Sequence, residues 1–181
     1  MPPSIEAGLI ARAQAGDRQA FRSVVEHYQR FLYAVAYRYL GRADEAEDAV
    51  QETFVKLWKH FSRYRPEVPL STWLYRILVN HCLDVGKSTA GRAQRNRQEL
   101  SAALQIAAVD AMEWEHRETM DLIMEAASHL PDKQKWVFVL RDLQGLEVSE
   151  VCAILDCAED QVKSNLYHAR KKISKVLQPH Q

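Results

Sequence analysis

The chain has little glycine and proline, with six residues of each among 181. Sandwiches and barrels of β-strands place these residues in their many turns, so the low share argues against a turn-rich β fold. Hydrophobic residues make up 47% of the sequence, which is enough for packed cores and excludes disorder throughout. The composition predicts a mostly helical chain, long enough for one ordinary domain or two small ones.

Cysteine is also scarce, and the three residues Cys82, Cys152 and Cys157 contain no C-x-x-C pair. This pattern indicates neither a disulfide framework nor a tetrahedral zinc site. We expect the three cysteines to be buried as small apolar side chains in a reducing cytoplasm. A redox-sensing role for Cys152 and Cys157 is the alternative.

A long apolar run is missing as well. No stretch approaches the roughly 18 apolar residues of a membrane span. The first residues, MPPSIEAGLIARAQ, do not combine a basic segment with an apolar one, as a signal peptide does. The sequence thus predicts a soluble cytoplasmic protein.

The chain lacks net charge, since 24 Lys and Arg residues balance 24 Asp and Glu residues. The charges are nevertheless segregated. One acidic run contains Asp44, Glu45, Glu47, Asp48 and Glu52, and two basic runs contain Lys87, Arg92, Arg95 and Arg97, and Lys163, Arg170, Lys171, Lys172 and Lys175. A solvated helix face is the simplest explanation of each run. A basic run indicates nucleic-acid binding only where a suitable motif lies beside it.

Apolar residues recur at helical spacing in three segments of the amino-terminal half, and capping or breaking residues bound each segment. The helices are expected between Asp17 and Gly41, between Asp44 and Phe61, and between Ser71 and Gly86, with a loop at Pro66 and Pro69. Residues 5–86 therefore form one predicted helical domain. The polar, basic residues 87–116 are a predicted flexible linker, and residues 117–178 form a second, smaller helical domain. The expected fold class is all-α.

The second domain contains a pattern typical of a helix-turn-helix, GLEVSEVCAILDCAEDQVKSNLYHARKKI. It predicts a short helix over Val148–Leu155, a turn at Asp156–Ala158 and a second helix from Glu159. The expected apolar seam between the helices consists of Val151, Ile154, Leu155, Val162, Leu166 and Ile173. Docking on DNA is the functional interpretation, and an ordinary helical hairpin with a basic end is the alternative.

Two motifs, in the expected order, carry a family resemblance. The run LPDKQKWVFVLRDLQGLEVSEVCAILDCAEDQVKSNLYHARKKI resembles the promoter-reading fourth region of bacterial sigma factors. The runs DAVQETFVKLW and STWLYRILVNHCLD are similar to the second region of the same family. With no first-region extension and no third domain, the chain resembles the extracytoplasmic-function class.

The resemblance implies a polymerase-binding face on the second helix, against the coiled coil of the largest polymerase subunit, with the flap as a further contact. The matching residues are Asp48, Gln51, Glu52, Phe54, Val55 and Trp58. An acidic helix with exposed aromatic rings suits a basic partner, although Phe54 can belong partly to the core.

The resemblance also implies two DNA-binding surfaces. For the minus-10 element the matching residues are Arg63, Tyr64, Arg65, Tyr75, Arg76, Asn80, Asp84 and Lys87. Asn80 is the expected base reader, Trp73 is expected in the core, and surface aromatics without a role are the alternative for Tyr64 and Tyr75. For the minus-35 element they are Arg141, Gln161, Lys163, Ser164, Asn165, Tyr167, His168, Arg170 and Lys171.

The carboxyl-terminal motif departs from the family pattern at several positions. Glu147 stands where a capping Ser is frequent, so we expect Ser149 to cap instead and the helix to begin late. Lys135, Asn165 and His168 stand where Arg is common. Fewer guanidinium groups provide fewer two-bond contacts to guanine or phosphate, so the promoter sequence does not transfer from relatives.

The expected function is that of a polymerase specificity subunit without catalytic site, metal or cofactor, which melts promoter DNA and is held inactive by an anti-sigma factor, often membrane-bound. Two other classes compete with it. A helical di-iron enzyme needs two E-x-x-H motifs, and the chain offers one, Glu113-x-x-His116. A conventional helix-turn-helix regulator is the stronger competitor, but it needs neither the acidic second helix nor the aromatic-rich third.

Overall fold

A computed structural model describes residues 5–89 and 114–177 of the chain. These residues form eight α-helices and no strands, which confirms the predicted all-α class. The helices are α1 (Ala7–Gln14), α2 (Arg18–Leu40), α3 (Ala43–His60), α4 (Leu70–Thr89), α5 (Trp114–Ser128), α6 (Asp132–Phe138), α7 (Val148–Leu155) and α8 (Glu159–Leu177). Most of the predicted linker, residues 87–116, lies outside the described residues. The chain divides into two compact units after Thr89.

In the first unit, α2 has the boundaries that the sequence predicts. Asp17 Oδ1 accepts hydrogen bonds from the backbone N–H of Gln19 and Ala20, at 2.9 and 3.1 Å, and so caps the helix. At the other end Gly41 takes a left-handed conformation with φ of 77°. Helices α2, α3 and α4 pack on one another around fully buried residues such as Leu32, Leu57 and Leu74.

Helix α4 differs from its predicted bounds at both ends. It begins at Leu70, because the Pro69 carbonyl already accepts a hydrogen bond from Trp73 N at 3.2 Å. Ser71 therefore lies inside the first turn, where it is buried, and is not the cap. The helix continues past Gly86 to Thr89, since a single glycine weakens a helix without ending it. Helix α1 was not predicted.

In the second unit the helix-turn-helix has its predicted bounds, with α7 over Val148–Leu155 and α8 from Glu159. The expected late start at Ser149 is wrong. Glu150 Oε2 accepts a hydrogen bond from Glu147 N at 2.8 Å, and the Glu147 side chain accepts from the backbone N–H of Glu150, so the two glutamates form a capping box that starts the helix at Val148. The turn contains Asp156 with φ of 50°, in the left-handed region.

The apolar seam between α7 and α8 contains the buried residues Val151, Ile154, Val162 and Leu166, as predicted, with Leu155 half-buried. Ile173 was assigned to this seam wrongly. It lies further along α8 and belongs to a cluster with Ala126, Ala127, Leu130, Phe138 and Ala169. The last helix thus packs its first half on α7 and its second half on α5 and α6.

A π-helical turn, Val139–Leu143, continues α6 toward the helix-turn-helix. Its wide backbone bond joins Gln144 N to the Val139 carbonyl at 3.0 Å. Such turns are rare and frequently occur beside functional residues. Within the described ranges, no helix has the length and apolar content to cross a membrane.

Candidate functional site

The predicted polymerase-binding residues lie mostly on the exposed side of α3. Asp48 and Gln51 are exposed, Glu52 is half-buried, and Val55 and Trp58 present their side chains to solvent, with Trp58 43% exposed. Phe54 is the exception, because it is 7% exposed and packs in the core. Its assignment to the binding surface is wrong, since residues four apart on a helix share a face and Phe54 shares that of Val50 and Ala46.

A groove of about 440 Å³ lies between α3 and α4 on this side. Its lining consists of Glu45, Asp48, Gln51, Glu52, Val55, His81 and Val85. His81 and Val85 were not predicted, although their spacing of four residues on α4 is the available sequence signal. The groove combines an acidic rim with apolar side chains, which suits a basic amphipathic helix.

The Trp58 ring is the first of a chain of aromatic rings, each of which contacts the next. It meets the Phe21 ring edge to face, with centroids 4.7 Å apart. Phe21 contacts Phe61 at 6.1 Å, Phe61 contacts Tyr64 at 6.1 Å, and Tyr64 contacts Trp73 at 5.5 Å. These spacings are those of favourable aromatic pairs. The chain of rings therefore connects the predicted polymerase surface to the loop that precedes α4.

That loop carries the first predicted minus-10 residues, and the structure separates them into two groups. Arg63 and Arg65 are exposed. Tyr64 is 6% exposed, its hydroxyl donates to the Val68 carbonyl at 2.8 Å, and burial raises its pKa. Tyr75, on α4, is 1% exposed. The assignment of both tyrosines to the minus-10 surface is wrong, and so is the alternative of surface aromatics without a role, because their rings belong to the core.

The outer face of α4 carries the remaining minus-10 residues. Asn80 and Asp84, one turn apart, are exposed, and Arg76, one turn before Asn80, is half-buried. Trp73, expected in the core, is half-buried at the start of the same face. The side chain of Lys87 lies outside the described residues. A half-buried ring, an amide and charged groups thus follow one stripe of the helix.

The predicted minus-35 residues of α8 lie on its exposed side. Gln161, Lys163, Ser164, Tyr167, His168, Arg170 and Lys171 are exposed, with Tyr167 at 61%. Asn165 is half-buried, and its Nδ2 donates to the Gln161 carbonyl at 2.8 Å. Lys171 Nζ lies 5.9 Å from the Tyr167 ring centroid, within the range of a cation–π contact.

Several of these cationic groups have partners within the unit. Lys163 Nζ lies 2.9 Å from Glu159 Oε2, one turn earlier. Arg170 forms a two-bond ion pair with Asp142 of the π-helical turn. Arg141, half-buried, donates from Nη1 to the Leu146 carbonyl at 2.7 Å. Arg141 and Arg170 therefore fasten the π-helical turn to the helix-turn-helix, which the sequence pattern did not predict.

The thiols differ in exposure. Cys82 is buried, and burial raises its pKa to about 12. Cys152 and Cys157 are half-buried at the turn between α7 and α8, and Cys157 N donates to the Cys152 carbonyl at 3.3 Å. Burial, followed by the nearby Cys152, raises the pKa of Cys157. In the part of the chain that the structure describes, no group of three His, Cys, Asp or Glu side chains could hold a metal ion.

Comparison with known proteins gives matches over both units. The family description "Sigma-70 region 2" matches residues 24–97, and "Sigma-70, region 4" matches residues 120–173. An ECF RNA polymerase sigma-E factor of Haemophilus influenzae is 31% identical, over 96% of this chain and 96% of its own. Its counterpart in Escherichia coli K12 is 30% identical, over 94% of this chain and 93% of its own.

Solved structures with the same fold also exist. CnrH in complex with the cytosolic domain of CnrY matches with a TM-score of 0.69 at 24% identity, over 93% of this chain and 94% of that chain. The sigma factor RpoE of Bartonella quintana, in complex with the anti-sigma factor NepR, matches with a TM-score of 0.68 at 23% identity, over 87% and 96%. At these identities the likeness establishes the fold.

Proposed function

The chain belongs to the extracytoplasmic-function family of bacterial RNA polymerase sigma factors, and we propose that its two units divide promoter recognition between them. The observation that carries this proposal is the match of both sigma regions, in order, together with 31% identity to a sigma-E factor over 96% of the chain. A sigma factor binds core RNA polymerase, recognises the minus-35 and minus-10 elements, and promotes promoter melting and transcription initiation.

The first unit is proposed to bind core polymerase through the groove between α3 and α4 and through Trp58. Asp48, Glu52 and Glu45 at the rim attract a basic coiled coil, which raises the rate of encounter. Val55 and Trp58 supply the apolar contact that holds it, and Phe21 fixes the indole before binding. An aromatic anchor fixed in advance loses less conformational entropy on binding.

The outer face of α4 and the loop before it are proposed to receive the minus-10 strand. Asn80 can hydrogen-bond a base edge, Arg63 and Arg65 can neutralise phosphates, and Trp73 offers a half-buried ring for stacking. Trapping unpaired bases displaces the equilibrium toward open DNA without hydrolysis of a nucleotide. Sigma factors are not catalysts in themselves, so these residues bind and position.

The second unit is proposed to dock α8 in the major groove of the minus-35 element. Gln161, Ser164 and His168 face outward on the first half of the helix, where base edges are reached. Lys171 can contact phosphates, and so can Lys163 when it exchanges its ion pair with Glu159 for a phosphate. The conventional regulator is not favoured, because the polymerase-binding region is present together with the helix-turn-helix.

We further propose that an anti-sigma factor, membrane-bound in the simplest case, sequesters the chain in the cytoplasm. The support is that the two related structures above were solved with the cytosolic domain of CnrY and with the anti-sigma factor NepR. The exposed groove between α3 and α4 is proposed to bind core polymerase. An anti-sigma factor can bind the same acidic and apolar surface and so compete with polymerase for it.

Transcription of fragmented host DNA by purified core RNA polymerase, with and without this protein, tests the proposal. We expect new RNA 5′ ends that share two upstream elements about two helical turns apart. Absence of new 5′ ends, with DNA binding still measurable, would support the conventional regulator instead.

A further inference from the structure

One amide group of α1 fastens the loop that follows α3. Gln14 Nε2 donates to the Phe61 carbonyl at 2.9 Å and to the Tyr64 carbonyl at 3.0 Å. These carbonyls lie at the two ends of a 3-10 turn, Phe61–Arg63. An amide nitrogen has two N–H groups, and here each has a backbone acceptor. A half-buried side chain thus joins residues 47 and 50 positions away in the sequence.

The same turn is held from its own side by Arg65. Its Nη1 donates to the Ser62 carbonyl at 2.9 Å and to the Tyr64 carbonyl at 3.1 Å. The Tyr64 carbonyl therefore accepts from both Gln14 and Arg65, which uses both of its lone pairs. The turn is therefore held at Phe61 by Gln14, and at Tyr64 by both Gln14 and Arg65.

We propose that Gln14 is a positioning residue for the minus-10 surface. It holds the backbone of the turn so that Arg63 and Arg65 face an incoming strand in one conformation. The inference rests on the proposed function of this loop and adds a residue outside the matched regions, since the region 2 match begins at residue 24. Its effect is preorganisation, because a loop fixed before binding loses less entropy when DNA arrives.

Removing the amide should loosen the turn without unfolding the unit. Phe61 is buried, and its ring contacts Phe21 and Tyr64, so apolar packing retains the loop on the core. Gln14→Met keeps the length and the apolar stem of the side chain but has no donor. Gln29→Ala, which removes an exposed amide from α2, is the matched control.

The experiment uses the full chain bound to core polymerase. Affinity for core polymerase is measured first, and affinity for a single-stranded minus-10 oligonucleotide is then measured with the assembled enzyme. We expect Gln14→Met to bind core polymerase within about twofold of the unchanged chain. It should bind the oligonucleotide about tenfold more weakly, because the loosened turn must be ordered again when DNA binds. Gln29→Ala should change neither.

Three outcomes overturn the inference, and they are distinguishable. If Arg63→Gln weakens oligonucleotide binding but Gln14→Met does not, the loop binds DNA without help from Gln14. If Arg63→Gln has no effect, the loop is not the minus-10 surface, and the proposed assignment fails together with the role of Gln14. A parallel loss of core binding and thermal stability in Gln14→Met would show a structural role alone.

Discussion

Asp142 and Arg170 form a two-bond ion pair across 28 residues of sequence, with Arg170 Nε 2.8 Å from one carboxylate oxygen and Nη2 2.6 Å from the other. Arg170 lies on the helix proposed to enter the major groove, and Asp142 lies in the π-helical turn before the helix-turn-helix. A guanidinium group has five N–H donors, so this pair leaves three for another acceptor. Asp142 thereby orients an exposed cation and also neutralises it.

Asp142→Asn should steepen the salt dependence of DNA binding. The released guanidinium can neutralise one more phosphate, and each phosphate contact adds about 0.9 to the slope of log K against log salt. The slope is measured by titrating a minus-35 duplex at several salt concentrations. The double variant Asp142→Asn, Arg170→Gln should return the slope to its original value. An unchanged slope in Asp142→Asn alone would show that releasing Arg170 adds no phosphate contact.

Asn80→Ala should reduce open-complex formation about tenfold, in line with the loss of one base contact. The measurement is permanganate reactivity of unpaired thymines, with affinity for core polymerase determined in parallel. Core affinity should be unchanged, because Asn80 lies outside the groove between α3 and α4. Normal promoter opening by the variant would remove Asn80 from the proposed surface.

Trp58→Ala and Phe54→Ala should fail in different ways. Trp58 is exposed, so its loss should weaken core binding about thirtyfold or more, as for an aromatic anchor, with little change in thermal stability. Phe54 is buried, so its truncation should lower the free energy of unfolding by about 3–5 kcal/mol. Binding titrations and thermal melts separate the two effects. Equal core affinity of Trp58→Ala and the unchanged chain would contradict the proposed anchor.

The free energy of unfolding of the second unit should rise with pH between about 8 and 10.5, because of Lys135. Burial lowers its pKa to about 8 from 10.5, and Asp132 opposes the shift. Between these values the unfolded chain binds more protons than the folded one, so stability increases with pH. Below pH 8 the folded chain carries a half-buried ammonium group, and its destabilising effect is complete. Lys135→Met should therefore raise the melting temperature at pH 7 and gain less between pH 8 and 10.

The exposed neighbour Lys133→Met is the control for Lys135, and its melting temperature should follow that of the unchanged chain across this range. If Lys135→Met lowers the melting temperature at pH 7, the ammonium group forms interactions that outweigh its burial.

The three thiols should react in two classes. A disulfide reagent should modify Cys152 and Cys157 in the folded protein but modify Cys82 only after denaturation, because Cys82 is buried with a pKa of about 12. Thiol release, followed by absorbance, counts the reactive groups. A redox role would require loss of activity on mild oxidation that Cys152→Ser, Cys157→Ser resists. Equal sensitivity of that double variant would leave core packing as the role of both thiols.

The sequence predicted those parts of the fold that local chemistry determines. A capping aspartate and a terminal glycine indicated the bounds of α2. The helical spacing of apolar residues on either side of a short turn indicated those of α7 and α8. These signals act within one or two turns of helix. Helix α1 escaped prediction, since eight residues form a marginal helix alone and tertiary contacts such as those of Gln14 stabilise it.

The candidate site was predicted unevenly for a related reason. Asn80, Trp58 and Lys163 have the expected exposure, whereas Tyr64 and Tyr75 are buried. Tyrosine suits both a core and a surface, because its ring is apolar and its hydroxyl needs one partner. Which role it takes depends on the helices packed around it. The Asp142–Arg170 pair was not predicted, because the two residues are 28 positions apart in the sequence and no local pattern relates them.

The left-handed backbone at Asp156 has a consequence for the history of the helix-turn-helix. Only Gly, Asn and Asp adopt this conformation readily, and single base changes convert an aspartate codon into a codon for either of the others. The turn can therefore drift among these residues across generations while the angle between α7 and α8 is retained. A β-branched residue there would strain the turn by about 1–2 kcal/mol or more, whatever promoter the protein serves.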